Sequence, residues 1–134
     1  MQHDLTIIEF VDQLFKEAIA RKASDIHIEP FRDHAAIRYR LDGLLEPTST
    51  IPPHFAIRMT ARLKIMAALN VAEKRLPQDG RILLTQHGNV DIRVSTCPTL
   101  YGEKLVLRFL NTANIALDIQ KLGMTEAQLA ILIH

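Results

Sequence analysis

Between residues 6 and 22 apolar side chains return every three or four positions, at Ile8, Val11, Phe15, Ala18 and Ile19, while Asp12, Lys16 and Arg21 fall elsewhere on the wheel. That spacing predicts an amphipathic helix. Thr6 and Glu9 have capping-box spacing, and Leu5 with Phe10 has the spacing of a hydrophobic staple. At Ser24 the period changes to two: Ile26 and Ile28 alternate with Asp25, His27 and Glu29, and Pro30 closes the predicted strand. Over residues 35–41 Ile37, Tyr39 and Leu41 alternate with Arg38 and Arg40. Asp42-Gly43 then predicts a tight hairpin returning through Leu44 to Glu46, with a loop over Pro47 to Thr50.

Pro52-Pro53 suits the first turn of a second helix. Its expected inward stripe is Phe55, Met59, Leu63 and Met66, ending near Leu69, with Arg58, Arg62 and Lys64 as a basic face. Residues 70–80 read as irregular. A hairpin is expected from Arg81 to Gln86 and Val90 to Thr96, turning at His87-Gly88-Asn89, then a last strand from Glu103 to Leu110. Asn111 to Leu117 reads as a linker, and Thr125 with Gln128 caps a further helix start that Met124 and Leu129 would staple. A short apolar helix that stops at His134 has little to bury against, so the tail is expected to be the beginning of a second, truncated domain.

Composition narrows the function classes. The 134 residues suit one compact domain, and 48% hydrophobic content supports a core. Net charge is +1 and aromatics are 5% with no Trp, so neither a basic field nor a base-stacking platform points to nucleic acid. A single cysteine, Cys97, excludes an internal disulfide and a cysteine zinc cage, and beside Pro98 it is expected to be a small buried residue. There is no apolar run of about 20 residues and no signal-peptide pattern, which leads to the expectation of a cytoplasmic protein.

Two arginines, Arg93 and Arg108, stand on neighbouring predicted strands. Guanidinium is permanently charged, planar and bidentate, and a pair on adjacent strands can converge on one polyphosphate. The plainer alternative is that they pair with Asp91 or Glu103 as ordinary surface salt bridges. In Arg75-Leu-Pro-Gln-Asp-Gly-Arg81, Pro77 and Gly80 are expected to place Gln78 and Asp79 on a defined turn that docks a neighbour or orients Arg81, or to be an ordinary loop. Asp25, His27 and Glu29 share one strand face, a metal-competent set that a half-exposed strand also produces without a metal; no metal site is expected. Nothing matches Gly-x-x-x-x-Gly-Lys-Ser/Thr, so the chain alone has no phosphate loop and is expected to be inactive as an ATPase.

Seven ordered segments carry a resemblance: Ala23-Ser-Asp-Ile-His-Ile-Glu-Pro30, Arg38-Tyr-Arg-Leu-Asp-Gly43, Arg62-Leu-Lys-Ile-Met66, Arg75-Leu-Pro-Gln-Asp-Gly-Arg81, Arg93-Val-Ser-Thr96, Pro98-Thr-Leu-Tyr-Gly-Glu-Lys104 and Leu122-Gly-Met124. Together they resemble the traffic ATPases of type II secretion and type IV pilus assembly, and within them the PAS-like N2 domain that precedes the RecA-like ATPase core. The resemblance implies an α+β fold with a largely antiparallel central sheet flanked by two helices, plus a C-terminal helix fragment. It implies a PAS-like domain over residues 1–111, with 112–134 as linker and first segment of the ATPase domain. The parent would be a hexamer binding ATP and magnesium, with neither expected on this chain by itself. Its implied partners are its own RecA-like domain, neighbouring subunits and inner-membrane platform proteins, with peripheral inner-membrane association and no nucleic acid. Arg93 and Arg108 would reach the nucleotide phosphates on domain closure, and Arg81, Asp79 and Arg75 would lie at the domain interface. The Walker motifs, Asp and His boxes and tetracysteine zinc site of that family are missing, so no catalytic residue is assigned here. Two alternatives stay open: a PAS-like ligand sensor, if the core around Ile37, Tyr39, Ile92 and Leu107 leaves a cavity, and a partner-docking module using Arg58 and Arg62.

Overall fold

In the computed structural model, residues 2–85 and 88–111 are described. Two helices, α1 (Gln2–Ala20) and α2 (Pro53–Met66), accompany strands β1 (Asp25–Pro30), β2 (Ala35–Leu41), β3 (Leu44–Ile51), β4 (Gln78–Leu84), β5 (Val90–Thr99) and β6 (Gly102–Asn111). The strands form one sheet in the order β3-β2-β1-β6-β5-β4, and every neighbouring pair is antiparallel. Chain order makes this two three-stranded meanders, β1–β3 and β4–β6, linked by α2 and joined edge to edge where β1 meets β6. The fold is α+β, as the alternating and helical periods predict.

Period-two alternation sends one face of the strands inward, except in the edge strand β3, where only Ile51 is buried. Ile26, Ile28, Ile37, Tyr39, Ile82, Ile92, Val94, Leu105 and Leu107 are buried together with Val11, Phe15 and Ala18 of α1 and Met59 and Leu63 of α2. Both helices therefore cover the same face. Phe10 of α1 meets Phe55 of α2 edge-on at 5.1 Å, and Phe15 meets Phe109 of β6 at 6.3 Å. Tyr39 donates its hydroxyl to the Leu14 carbonyl at 3.2 Å, and burial, with Glu17 adding to it, pushes the phenol up to about 12. Ile37, Tyr39, Ile92 and Leu107 are all fully buried, so the core position at which a sensor would hold a ligand is filled by side chains.

Several expectations are corrected. α1 begins at Gln2, so Thr6 lies within the helix and is not its cap. The stripe that packs inward is Ile7, Val11, Leu14, Phe15 and Ala18; Ile8 is 39% exposed. The strand after Asp42-Gly43 continues to Ile51 instead of stopping at Glu46. A bulge between Ile37 and Arg38 skips Thr48 in the register, Pro47 pairs with Arg38, and β3 is an edge strand, where a missing N–H is tolerated. The turn itself is as expected: Asp42 and Gly43 both have positive φ, 52° and 83°, the left-handed pair that a two-residue hairpin needs.

β4 starts at Gln78, so Asp79 and Gly80 are strand residues and not a turn. Gln78 organises the loop before it: its Oε1 accepts from the Asn70 N–H at 2.8 Å, and its Nε2 donates to the Asn70 and Glu73 carbonyls. Lys64 does not share the solvated face with Arg58; it is buried against Glu103. Cys97 is exposed, because it falls on the outward side of β5, where alternation overrides its preference for burial. The expected linker after Asn111 and the helix start at Thr125 lie outside the described residues.

Candidate functional site

The face of the sheet that the helices leave uncovered carries the polar alternates of every strand. Antiparallel register decides which of them meet. Arg81 of β4 is opposite Arg93 of β5, Arg93 is opposite Arg108 of β6, Arg108 is opposite Asp25 of β1, and Asp25 is opposite Arg40 of β2. Five charged residues thus form one row across five strands, four of them arginines. Residues separated by 12 to 83 positions in sequence become direct neighbours.

Each arginine in the row has a different hold. Arg81 grips Asp91 through Nε and Nη2, which raises its pKa, and its side chain stays 65% exposed. Arg108 reaches Asp25 through Nε at 3.4 Å, also with 65% of its side chain exposed. Arg40 reaches the other oxygen of Asp25 through Nε at 3.1 Å and donates Nη1 to the Gly43 carbonyl at 2.9 Å. Arg93 is exposed and has no carboxylate partner among the described residues. Neither of the plain surface pairs expected for Arg93 and Arg108 forms, because Asp91 is taken by Arg81 and Glu103 by Lys64.

A concavity of about 570 Å³ lies over the row, lined by Asp79, Gly80, Arg81, Arg93, Ser95 and Arg108 among others. Asp79 stands two register positions along on the same face, opposite Ser95, and accepts the Ser95 hydroxyl at 2.8 Å. A second depression, about 440 Å³, continues past Arg108 to Asp25, His27 and Arg40. Of the five residues singled out in sequence, four line the first concavity. Arg75 does not; it is an exposed residue of the loop before β4, its own N–H bound to Glu73 Oε1 at 2.7 Å.

Sequence reasoning missed the parts played by Asp25 and Arg40. Asp25 was visible only as one of three polar alternates on β1, and its 5% exposure on an uncovered face is a tertiary effect of the two guanidiniums closing over it. Its neighbour His27, 3.6 Å from Oδ2, has its pKa lowered, chiefly by burial and against the pull of Asp25. Among the described residues no group of three His, Cys, Asp or Glu side chains could hold a metal ion, and no helix is long and apolar enough to cross a membrane.

The whole sequence, residues 1–134, matches the family described as type II/IV secretion system protein. It is 43% identical to the type IV pilus assembly ATPase PilB of Myxococcus xanthus over 129 residues, 95% of this chain and 23% of that protein. It is 46% identical to the type II secretion system protein E of Dickeya dadantii over 137 aligned residues, 99% of this chain and 28% of that protein. The protein transport protein HofB homolog of Haemophilus influenzae is 43% identical over 95% of this chain and 28% of its own length. The chain thus spans about a quarter of the length of these relatives. A match along the full chain, carried by relatives at 43–46% identity, makes it a member of the type II/IV secretion system protein family.

Proposed function

We propose that this chain is the PAS-like N2 domain of a hexameric secretion or pilus-assembly ATPase, and that it supplies Arg93 and Arg108 to the phosphates of ATP when it closes onto the ATPase core. The single observation that carries the reading is the arginine row. Arg81, Arg93 and Arg108 lie directly across from one another on three strands, a span of about 10 Å at the usual strand spacing. Exposed like charges placed opposite each other are unfavourable for a sheet, so stability does not account for them.

The donor set fits a polyphosphate. Among the described residues Arg93 has no hydrogen-bond or ion-pair partner and Arg108 is engaged only through Nε, which leaves its Nη groups for an anion. ATP with magnesium would bring the transferable phosphoryl group, and the phosphate loop, absent from this chain, most of its binding site. What this chain contributes is positive charge, fixed in direction by a sheet, that favours the more negative transition state. Arg81 and Asp79 would form the edge of the closing interface, and Arg75 the loop beside it. Further partners under this reading are the neighbouring subunits and inner-membrane platform proteins of a cytoplasmic, peripherally associated motor.

The test is steady-state ATP hydrolysis by the full-length parent. Arg93→Ala and Arg108→Ala should each lower turnover by about 10³, the order seen for arginines supplied on closure, while the 134-residue chain alone shows no turnover. Wild-type rates in both variants would overturn the phosphate-contact role.

A further inference from the structure

We propose that Asp25 is a positioning residue for Arg108, holding its guanidinium by one edge so that the other faces an incoming phosphate. This rests on the arginine–phosphate reading and adds to it the residue that sets the aim. The starting observation is a carboxylate in an unusual place. Asp25 is the first residue of β1 and points to the uncovered face, yet it is only 5% exposed. A carboxylate removed from water to that degree is tolerated only when paired and hydrogen-bonded.

Its two oxygens are divided between two arginines. Oδ1 accepts Nε of Arg108 from β6, and Oδ2 accepts Nε of Arg40 from β2. The register that makes Asp25 the cross-strand partner of both residues fixes this arrangement. It also sits where the two meanders join, next to the Phe109 N–H that donates to the Ser24 carbonyl at 2.9 Å. Arg108 is therefore oriented by a strand residue at the join of the two meanders and not by a loop.

The edge that Asp25 occupies matters chemically. Guanidinium has five N–H groups, one on Nε and four on the two Nη atoms. Capture through Nε holds one edge of the group and leaves all four Nη hydrogens available, the fork that meets a phosphate bidentately. Arg81 differs, since Asp91 takes its Nη2 as well as Nε.

Arg40 completes the arrangement. It is tied to the Gly43 carbonyl and to Asp25, so its charge offsets that of Asp25 and the three groups together remain +1. Arg108 thus keeps its attraction for an anion although it is held by a carboxylate. His27 adds no fixed charge while it is neutral, which its lowered pKa favours.

The experiment is a double-mutant cycle on ATP turnover in the full-length parent, with Asp25→Asn, Arg108→Ala and the two combined. Asp25→Asn keeps the size but presents an amide N–H₂ to one of the two guanidiniums. Alone it should lower turnover about tenfold, and in the Arg108→Ala background it should change the rate by less than twofold. An equal loss in both backgrounds, or no loss with Asp25→Asn alone, overturns the positioning role. Wild-type turnover in Arg108→Ala itself would instead sink the phosphate reading beneath it. A second measurement does not depend on the variant folding. In the wild-type chain, the Nε–H of Arg108 should exchange with water several-fold more slowly than that of Arg93 by NMR, and equal rates overturn the proposal.

Discussion

Lys64, in the last turn of α2, reaches Glu103 at the start of β6 with Nζ 2.7 Å from Oε1, and the two side chains are 1% and 7% exposed. Nζ also donates to the Glu73 carbonyl at 2.6 Å, so one ammonium ties the helix, the last strand and the loop before β4. Removing one member of a buried pair leaves an uncompensated charge. Lys64→Met should therefore cost about 3–5 kcal/mol in urea unfolding. Lys64→Met combined with Glu103→Leu should recover most of that loss, because a matched apolar pair needs no counter-charge. A single-variant cost under about 1 kcal/mol would show that Glu103 finds another partner.

Gly80 is held to its identity by space. A Cβ there would lie 2.6 Å from the Ala67 carbonyl oxygen and 2.8 Å from Leu69 Cδ2. The leucine tip can move, but the carbonyl belongs to the backbone that ends α2. Gly80→Ala should destabilise the chain by about 1–3 kcal/mol, the usual cost of overpacking, read as a lower Tm. Adding Leu69→Ala should not restore stability, since the nearest clash is with the carbonyl.

His27 gives the fold a pH dependence on the acid side. Burial lowers its pKa below the ordinary 6.5, so between 6.5 and that lower value the unfolded chain binds a proton the folded chain does not. Stability then rises with pH in that window, and the contribution is lost as pH falls through it. Unfolding free energy measured from pH 7.5 down to 5 should decline, and His27→Gln should flatten the decline. An unchanged slope in that variant would assign the effect to other groups.

How much of this could be read from the sequence depended on the range of the interaction. Local signals held: Asp42-Gly43 gave the hairpin, and period-two alternation put Ile26, Ile28, Ile37 and Tyr39 inward. Element ends were less legible. Pro47 looked like a strand breaker because its tolerance depends on β3 lying at the edge of the sheet, and Gln78 looked like a turn because its partners Asn70 and Glu73 are set by the loop's path. The candidate arginines were visible as types. Their alignment with Asp25 and Arg40 was not, since it requires β1 to pair with β6 across most of the chain. Lys64 misled for the same reason: its partner Glu103 is brought to it only when α2 lies over the start of β6.

Arg93 is flanked on both sides by a directly opposite arginine, Arg81 on β4 and Arg108 on β6, and it has no carboxylate of its own among the described residues. Like charges opposite each other in an antiparallel sheet are destabilising, on the scale of roughly 0.2–1 kcal/mol for a cross-strand pair. Arg93→Thr removes both repulsions and places a β-branched residue where strands favour one. The isolated chain should melt at an equal or higher temperature than wild type at low ionic strength. The gain should shrink as salt is raised, because the repulsion lies on an exposed face and the Debye length falls to about 10 Å at 0.1 M. Thermal melts of both chains across a salt series decide the matter. A loss of stability that salt does not change would mean that Arg93 is held by contacts the sheet needs. A gain that fades with salt would show that the row is kept at a cost to the fold, as expected of charges arranged for something outside it.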